Sequence, residues 1–124
     1  MLAIILVAIG GSIGSVLRYL ISKWAAEKID FTLPYGTFIV NIVGCFIIGF
    51  FMTMVTERVV VSPYWRLFVT VGFVGGLTTF SSFSYESIQL LLQSNFFQGF
   101  CNIGGNIIIG LFATWLGISV ARLI

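Results

Sequence analysis

Residues 72–86, GFVGGLTTFSSFSYE, constrain the fold of this chain more than any other stretch. They fall in the middle of an apolar segment, 63–93, where a bilayer-crossing helix should be most uniformly hydrophobic. Instead they carry Gly72, Gly75 and Gly76, then Thr78, Thr79, Ser81, Ser82 and Ser84, with Phe80 and Phe83 between. Lipid offers no hydrogen bonds, so a backbone interruption at that depth persists only when buried in protein or lining a polar cavity. Discontinuous helices of this kind frame ion and substrate sites in membrane proteins. The stretch reads as a half-helix, a break and a second half-helix around a permeation site. The competing reading is a kinked packing helix whose small residues permit close approach.

Composition decides the solvent. The chain has 124 residues, 59% hydrophobic and only 8% charged, where a soluble domain carries about 25% charged residues. This describes one all-α integral membrane domain covering residues 1–124. A formal charge of +2 gives no basic stripe for nucleic acid. There is no histidine, and Cys45 and Cys101 stand far apart within apolar runs, so metal-ligand spacing is missing. No nucleophile–base set and no paired carboxylates occur, so the sequence does not read as an enzyme.

Four spans are expected, at about 2–22, 36–56, 63–93 and 99–123, the third broken mid-membrane. In the first, Gly10/Gly14 and Gly11/Ser15 are small-xxx-small pairs suited to tight helix contact. Arg18 lies near its end and either snorkels to the headgroups or faces a watery vestibule. Residues 23–35 are the most polar stretch, with Trp24, Phe31 and Tyr35 placed for an interfacial belt. In the second span Thr37 and Asn41 share a helix face, and Asn41 is either interhelical glue or a ligand-facing donor. Ser62-Pro63 reads as N-cap and first helical residue of the third span. Along the fourth, Asn102, Asn106, Gly110 and Thr114 recur every four residues, a polar or small stripe expected to face inward.

Basic residues are nearly balanced. Arg58, Arg66 and Arg122 fall on one side; Lys23, Lys28 and Arg18 on the other. Because Lys/Arg asymmetry sets orientation, this balance predicts insertion both ways round, and inverted copies could pair about an in-plane axis.

The parts of the break suit a small ion. Carbonyls ending the first half-helix near Gly75 could hold a small cation. Unpaired N–H groups and the positive dipole end open the second near Thr78 or Thr79. Phe80 and Phe83, three apart, project on one face, and ring edges are weakly positive. Ser81, Ser82, Asn41, Asn102, Asn106 and Thr114 could supply neutral donors replacing a hydration shell. Glu86, one turn beyond Phe83, stands either at a pore end or at the interface as an ordinary carboxylate. A small proton-coupled exporter would need a carboxylate inside the membrane, and the first span has none. A non-transporting scaffold would leave the polar stripe without purpose.

GGSIGSVLRY (10–19), GTFIVNIVG (36–44), GFVGGLTTFSSF (72–83) and the GLFATWLG ending of the fourth span closely resemble the CrcB/Fluc fluoride channel family over essentially the whole chain. The resemblance implies a dual-topology antiparallel homodimer in a bacterial inner membrane, with two passive fluoride pores that relieve fluoride toxicity. It implies a box of rings from Phe80 and Phe83, with Asn41 also lining the pathway. Backbone carbonyls of Gly75 and Thr78 would hold a structural sodium ion at the two-fold axis, and Arg18 and Glu86 would lie toward the vestibules. The polar track of the fourth span matches Asn102, Asn106 and Thr114. This chain departs by carrying asparagines and Gly110 where relatives often carry hydroxyls, and Ser82 where threonine is frequent.

Overall fold

The computed structural model describes residues 1–29 and 32–124. Every regular element among them is helical: α1 (Leu2–Lys28), α2 (Tyr35–Arg58), α3 (residues 63–77), α4 (Phe80–Leu92) and α5 (Phe96–Leu123). Four stretches, with α3 and α4 taken together as Pro63–Leu92, are long and apolar enough to cross a membrane. At 1.5 Å per residue the 27 residues of α1 reach about 40 Å, longer than a hydrocarbon core of roughly 30 Å. The helices therefore outrun the apolar spans. α1 continues past residue 22 through Trp24 and Lys28, so much of the polar stretch is helical, while Phe31 lies outside the described residues.

Local chemistry sets the ends. Ser62 Oγ accepts the Tyr64 N–H at 3.3 Å, with Pro63 in the first turn, as the Ser-Pro dipeptide predicts. The α4–α5 connection is only three residues, Gln93 to Asn95, and Ser94 takes a left-handed φ of 63° to make it. α2 closes with a π-helical turn, Met54–Arg58, and α3 contains a longer one, Leu67–Val74. Such wide turns are rare and re-aim the residues that follow.

Packing falls into two heavily contacted pairs: α2 with α5, and α1 with the π-helical part of α3. Both rest on glycine. A Cβ at Gly14 would fall on the Phe73 carbonyl oxygen, and one at Gly10 would lie 2.5 Å from that of Phe68. From the other side, a Cβ at Gly76 would meet the Gly11 carbonyl oxygen at 2.5 Å and the Ser15 N at 3.1 Å. The two small-xxx-small pairs of α1 thus mark the helix crossing they suggested. On the second pair, Gly49 faces the Thr114 carbonyl and Gly117 faces that of Phe46. In lipid, where apolar surface gains nothing by leaving solvent, this close backbone approach is the main attraction between helices.

At the end where α2 and α5 finish, Arg122 pairs with Glu57 at 2.8 Å, and Arg58 donates to the Arg122 carbonyl. Both side chains of the ion pair are well exposed, so it contributes little to stability.

Gly14→Ala should destabilise the fold by about 1–3 kcal/mol, the usual cost of overpacking. Gly104→Ala, where an added Cβ meets nothing within 4 Å, should be neutral or slightly stabilising. Reversible unfolding of purified protein in mixed micelles measures both.

Candidate functional site

The helix of α3 stops at Leu77, and α4 starts at Phe80, near the midpoint of the Pro63–Leu92 stretch. Between them Thr78 (φ −87°, ψ 157°) and Thr79 (φ −151°, ψ 119°) are extended. The helical ladder ends with the Thr78 N–H on the Val74 carbonyl, so the Thr78 carbonyl and both main-chain groups of Thr79 need other partners.

Thr79 finds them in one side chain. Its N–H donates to Asn41 Oδ1 at 2.8 Å, and its carbonyl accepts from Asn41 Nδ2 at 3.1 Å. The primary amide of Asn41 thus pairs with both main-chain groups of Thr79, as a residue of a neighbouring strand would. Thr79 also caps α4: its Oγ1 accepts the Ser82 N–H at 3.1 Å and sits 3.2 Å from Ser81 Oγ. Thr78 turns its N–H and its hydroxyl back to the Val74 carbonyl, each at 2.9 Å. The Thr78 carbonyl lies 3.5 Å from Arg18 Nη1. Because the Thr79 N–H is committed to Asn41, the Gly75 carbonyl loses its i+4 donor, and Gly75 is exposed on the surface of the chain.

A polar row leads away from the break. Asn41 Nδ2 also donates to Asn106 Oδ1 at 3.2 Å. Asn106 Nδ2 donates to the Asn102 carbonyl and Oδ1 at 2.8 and 3.2 Å. Asn102, only 5% exposed, donates to Ser87 Oγ at 2.9 Å, and Ser87 donates to the Phe83 carbonyl at 2.7 Å. The inward-facing stripe expected on the fourth span is realised at Asn102, Asn106 and Gly110. Thr114 stands apart, its hydroxyl donating within α5 to the Gly110 carbonyl and its backbone packed on Gly49.

Phe80 and Phe83 sit with ring centroids 5.5 Å apart and planes inclined at 56°. Their environments differ: Phe83 is 9% exposed and Phe80 78%. Both border a cleft of about 320 Å³ that also reaches Asn41, Thr78, Thr79 and Asn106. A second chamber of about 200 Å³ lies between the ends of α1 and α2, with Glu86 and Thr37 in its wall. Glu86 Oε1 accepts the Thr37 hydroxyl at 2.9 Å. This bond joins Glu86 to the start of α2.

From α1, the Arg18 guanidinium reaches the break. Sequence reasoning passed over Ser87 and the capping role of Thr79. Thr79-x-x-Ser82 has the spacing of a cap, which was a usable signal. Nothing in the sequence pairs Ser87 with Asn102. Among the described residues no group of three or more His, Cys, Asp or Glu side chains comes together.

Comparison with known proteins supplies the family. A family model described as CrcB-like protein, Camphor Resistance (CrcB), matches residues 5–118. A protein of Solibacter usitatus named fluoride-specific ion channel FluC is 43% identical over 118 residues, 95% of this chain and 97% of its own length. Proteins of the same name from a Sulfurihydrogenibium species and from Geotalea daltonii are each 42% identical, over 97% of both chains and over 100% of both chains respectively. The chain is a multi-pass membrane protein, and it belongs to the CrcB family.

Proposed function

We propose that the chain is a passive, fluoride-selective channel of a bacterial inner membrane, working as an antiparallel homodimer with two pores. The observation that carries the reading is the interrupted span, whose main-chain groups are tied to Asn41. It opens on a cleft bordered by Phe80, Phe83 and Asn106. The names of the similar proteins agree with it. In this reading Phe80 and Phe83 present ring edges to the anion. Ser81 and Ser82 offer neutral donors, Asn41 and Asn106 line the pathway, Asn102 and Thr114 continue the track behind them, and Arg18 and Glu86 stand toward the pathway's mouths.

Neutral donors suit throughput. A ring of fixed lysines would bind fluoride tightly and hold it, whereas conduction needs sites that release as readily as they accept. Hydrogen fluoride crosses bilayers uncharged and dissociates inside. A negative interior then drives the anion outward with about 2.3 kcal/mol per charge for each 100 mV, so no chemical fuel is required.

The dimer rests on three supports. Lys/Arg balance favours neither orientation. Gly75 and the Phe80 ring are exposed in the single chain. The Gly75 carbonyl also lacks its helical donor, a poor state for a polar group facing lipid. A structural sodium ion fits these oxygens: carbonyls of unwound membrane helices are sodium ligands, and Gly75 and Thr78 of two inverted copies would hold it. Such an ion supplies a fixed positive charge that neutralises converging carbonyl dipoles. The Thr78 oxygen, with Arg18 at 3.5 Å, has a second lone pair for it.

Three outcomes are expected. Purified protein in liposomes under a potassium gradient with valinomycin should release fluoride and not chloride. Phe80→Ile and Phe83→Ile should lower the fluoride rate by tenfold or more, about 1.4 kcal/mol on the barrier, with dimer elution unchanged; a normal rate would refute the ring box. C-terminal reporter fusions active on opposite faces of the membrane should both give signal. Signal from one face alone would remove dual topology.

A further inference from the structure

Apart from the return bond of Asn41 to the Thr79 carbonyl, the side-chain hydrogen bonds of the polar row run in one sense. Thr79 N–H donates to Asn41, Asn41 to Asn106, Asn106 to Asn102, Asn102 to Ser87, and Ser87 to the Phe83 carbonyl. Both termini of this relay are main-chain groups of α4, one at its cap and one at the second ring residue. The sense is imposed from the ends. A peptide N–H can only donate, so Asn41 must offer it Oδ1, which sends Nδ2 toward Asn106. Asn106 must then present Oδ1 and pass its own Nδ2 to Asn102, and so on to Ser87. At the far end a carbonyl can only accept, so the Ser87 hydroxyl gives its hydrogen to Phe83.

Resting on the channel reading above, we propose that Ser87 and Asn102 are positioning residues for fluoride passage. They hold the amides of Asn106 and Asn41 in one sense without touching the ion. Asn41 spends Nδ2 on the Thr79 carbonyl and on Asn106, and Asn106 spends Nδ2 on two oxygens of Asn102. An anion in the cleft therefore meets amides held at one end by Thr79 and at the other by Asn102 and Ser87. Ser87 and Asn102 do not border that cleft, and both are buried. Hydrogen bonds in such a chain polarise one another, so loss of the terminal hydroxyl weakens every link and frees Asn102 and Asn106 to rotate.

The test uses Ser87→Ala, with Ser87→Thr as the variant that keeps the hydroxyl. The chain has four asparagines: Asn41, Asn95, Asn102 and Asn106. Asparagine-selective 15N labelling in micelles therefore gives four pairs of side-chain amide signals, one pair per asparagine, with exposed Asn95 as the internal reference. Ser87→Ala should move the signals of Asn102, Asn106 and Asn41 and leave Asn95 in place. It should also slow fluoride efflux about two- to tenfold, the equivalent of one neutral hydrogen bond, at unchanged elution volume. Ser87→Thr should restore both readouts. A shift confined to Asn102, efflux unaffected by Ser87→Ala, or no rescue by threonine would each overturn the proposal. If wild-type vesicles release no fluoride, the channel reading fails by itself, while the signals of those three amides still decide whether the relay exists.

Discussion

One side-chain amide holds the interruption open. Asn41 takes up both the N–H and the carbonyl of Thr79, the two groups that an extended residue inside an apolar segment would otherwise leave bare. Each unsatisfied group costs several kcal/mol in hydrocarbon, so the extended Thr78–Thr79 crossing and the presence of Asn41 opposite it are one feature. The rest of the molecule serves to deliver α2 to that point. Gly44 permits it, since an added Cβ there would fall on the Thr78 methyl. Gly49 and Gly117 lock α2 to α5 further along, which brings Asn106 within reach of the same amide.

The α1–α3 pair does complementary work. Its glycine crossing brings Arg18 to the Thr78 carbonyl, so each threonine of the crossing has a side-chain partner from a different helix. Arg18 meets the first and Asn41 the second. The π-helical stretch Leu67–Val74 immediately precedes this joint. A wide turn sets the direction in which the following residues face, and here those residues are Gly75, Gly76 and Leu77. Leu77 is fully buried while Gly75 stays exposed, so α3 ends with a firm anchor on one side and bare backbone on the other.

Local chemistry was the legible part of the sequence. The Ser62-Pro63 cap, the glycine pairs of α1 and the inward stripe of α5 each follow from residues within one turn of one another. Contacts between segments were not legible, because periodicity names a face and not what lies against it. Phe80 and Phe83 were placed together by spacing, yet one ring is buried and the other exposed, a difference created by where α2 and α5 pass. Arg18 looked terminal because the apolar run ends soon after it, whereas the helix continues for ten more residues to Lys28. Thr114 shared the stripe of Asn102 and Asn106, but two further turns of helix carry it away from the break.

The one-way order of the polar row has an electrical meaning. From Thr79 to Ser87 it spans eight residues of α4, about 12 Å along the helix axis. Amide and hydroxyl dipoles aligned head to tail over that distance set up a fixed local field, which shapes the electrostatic profile along the row without supplying energy. Two copies turned end for end, as in the proposed pairing, would carry such fields in opposite senses, and the sum would vanish. An assembly of that kind would be electrically even-handed, leaving direction to the voltage across the membrane.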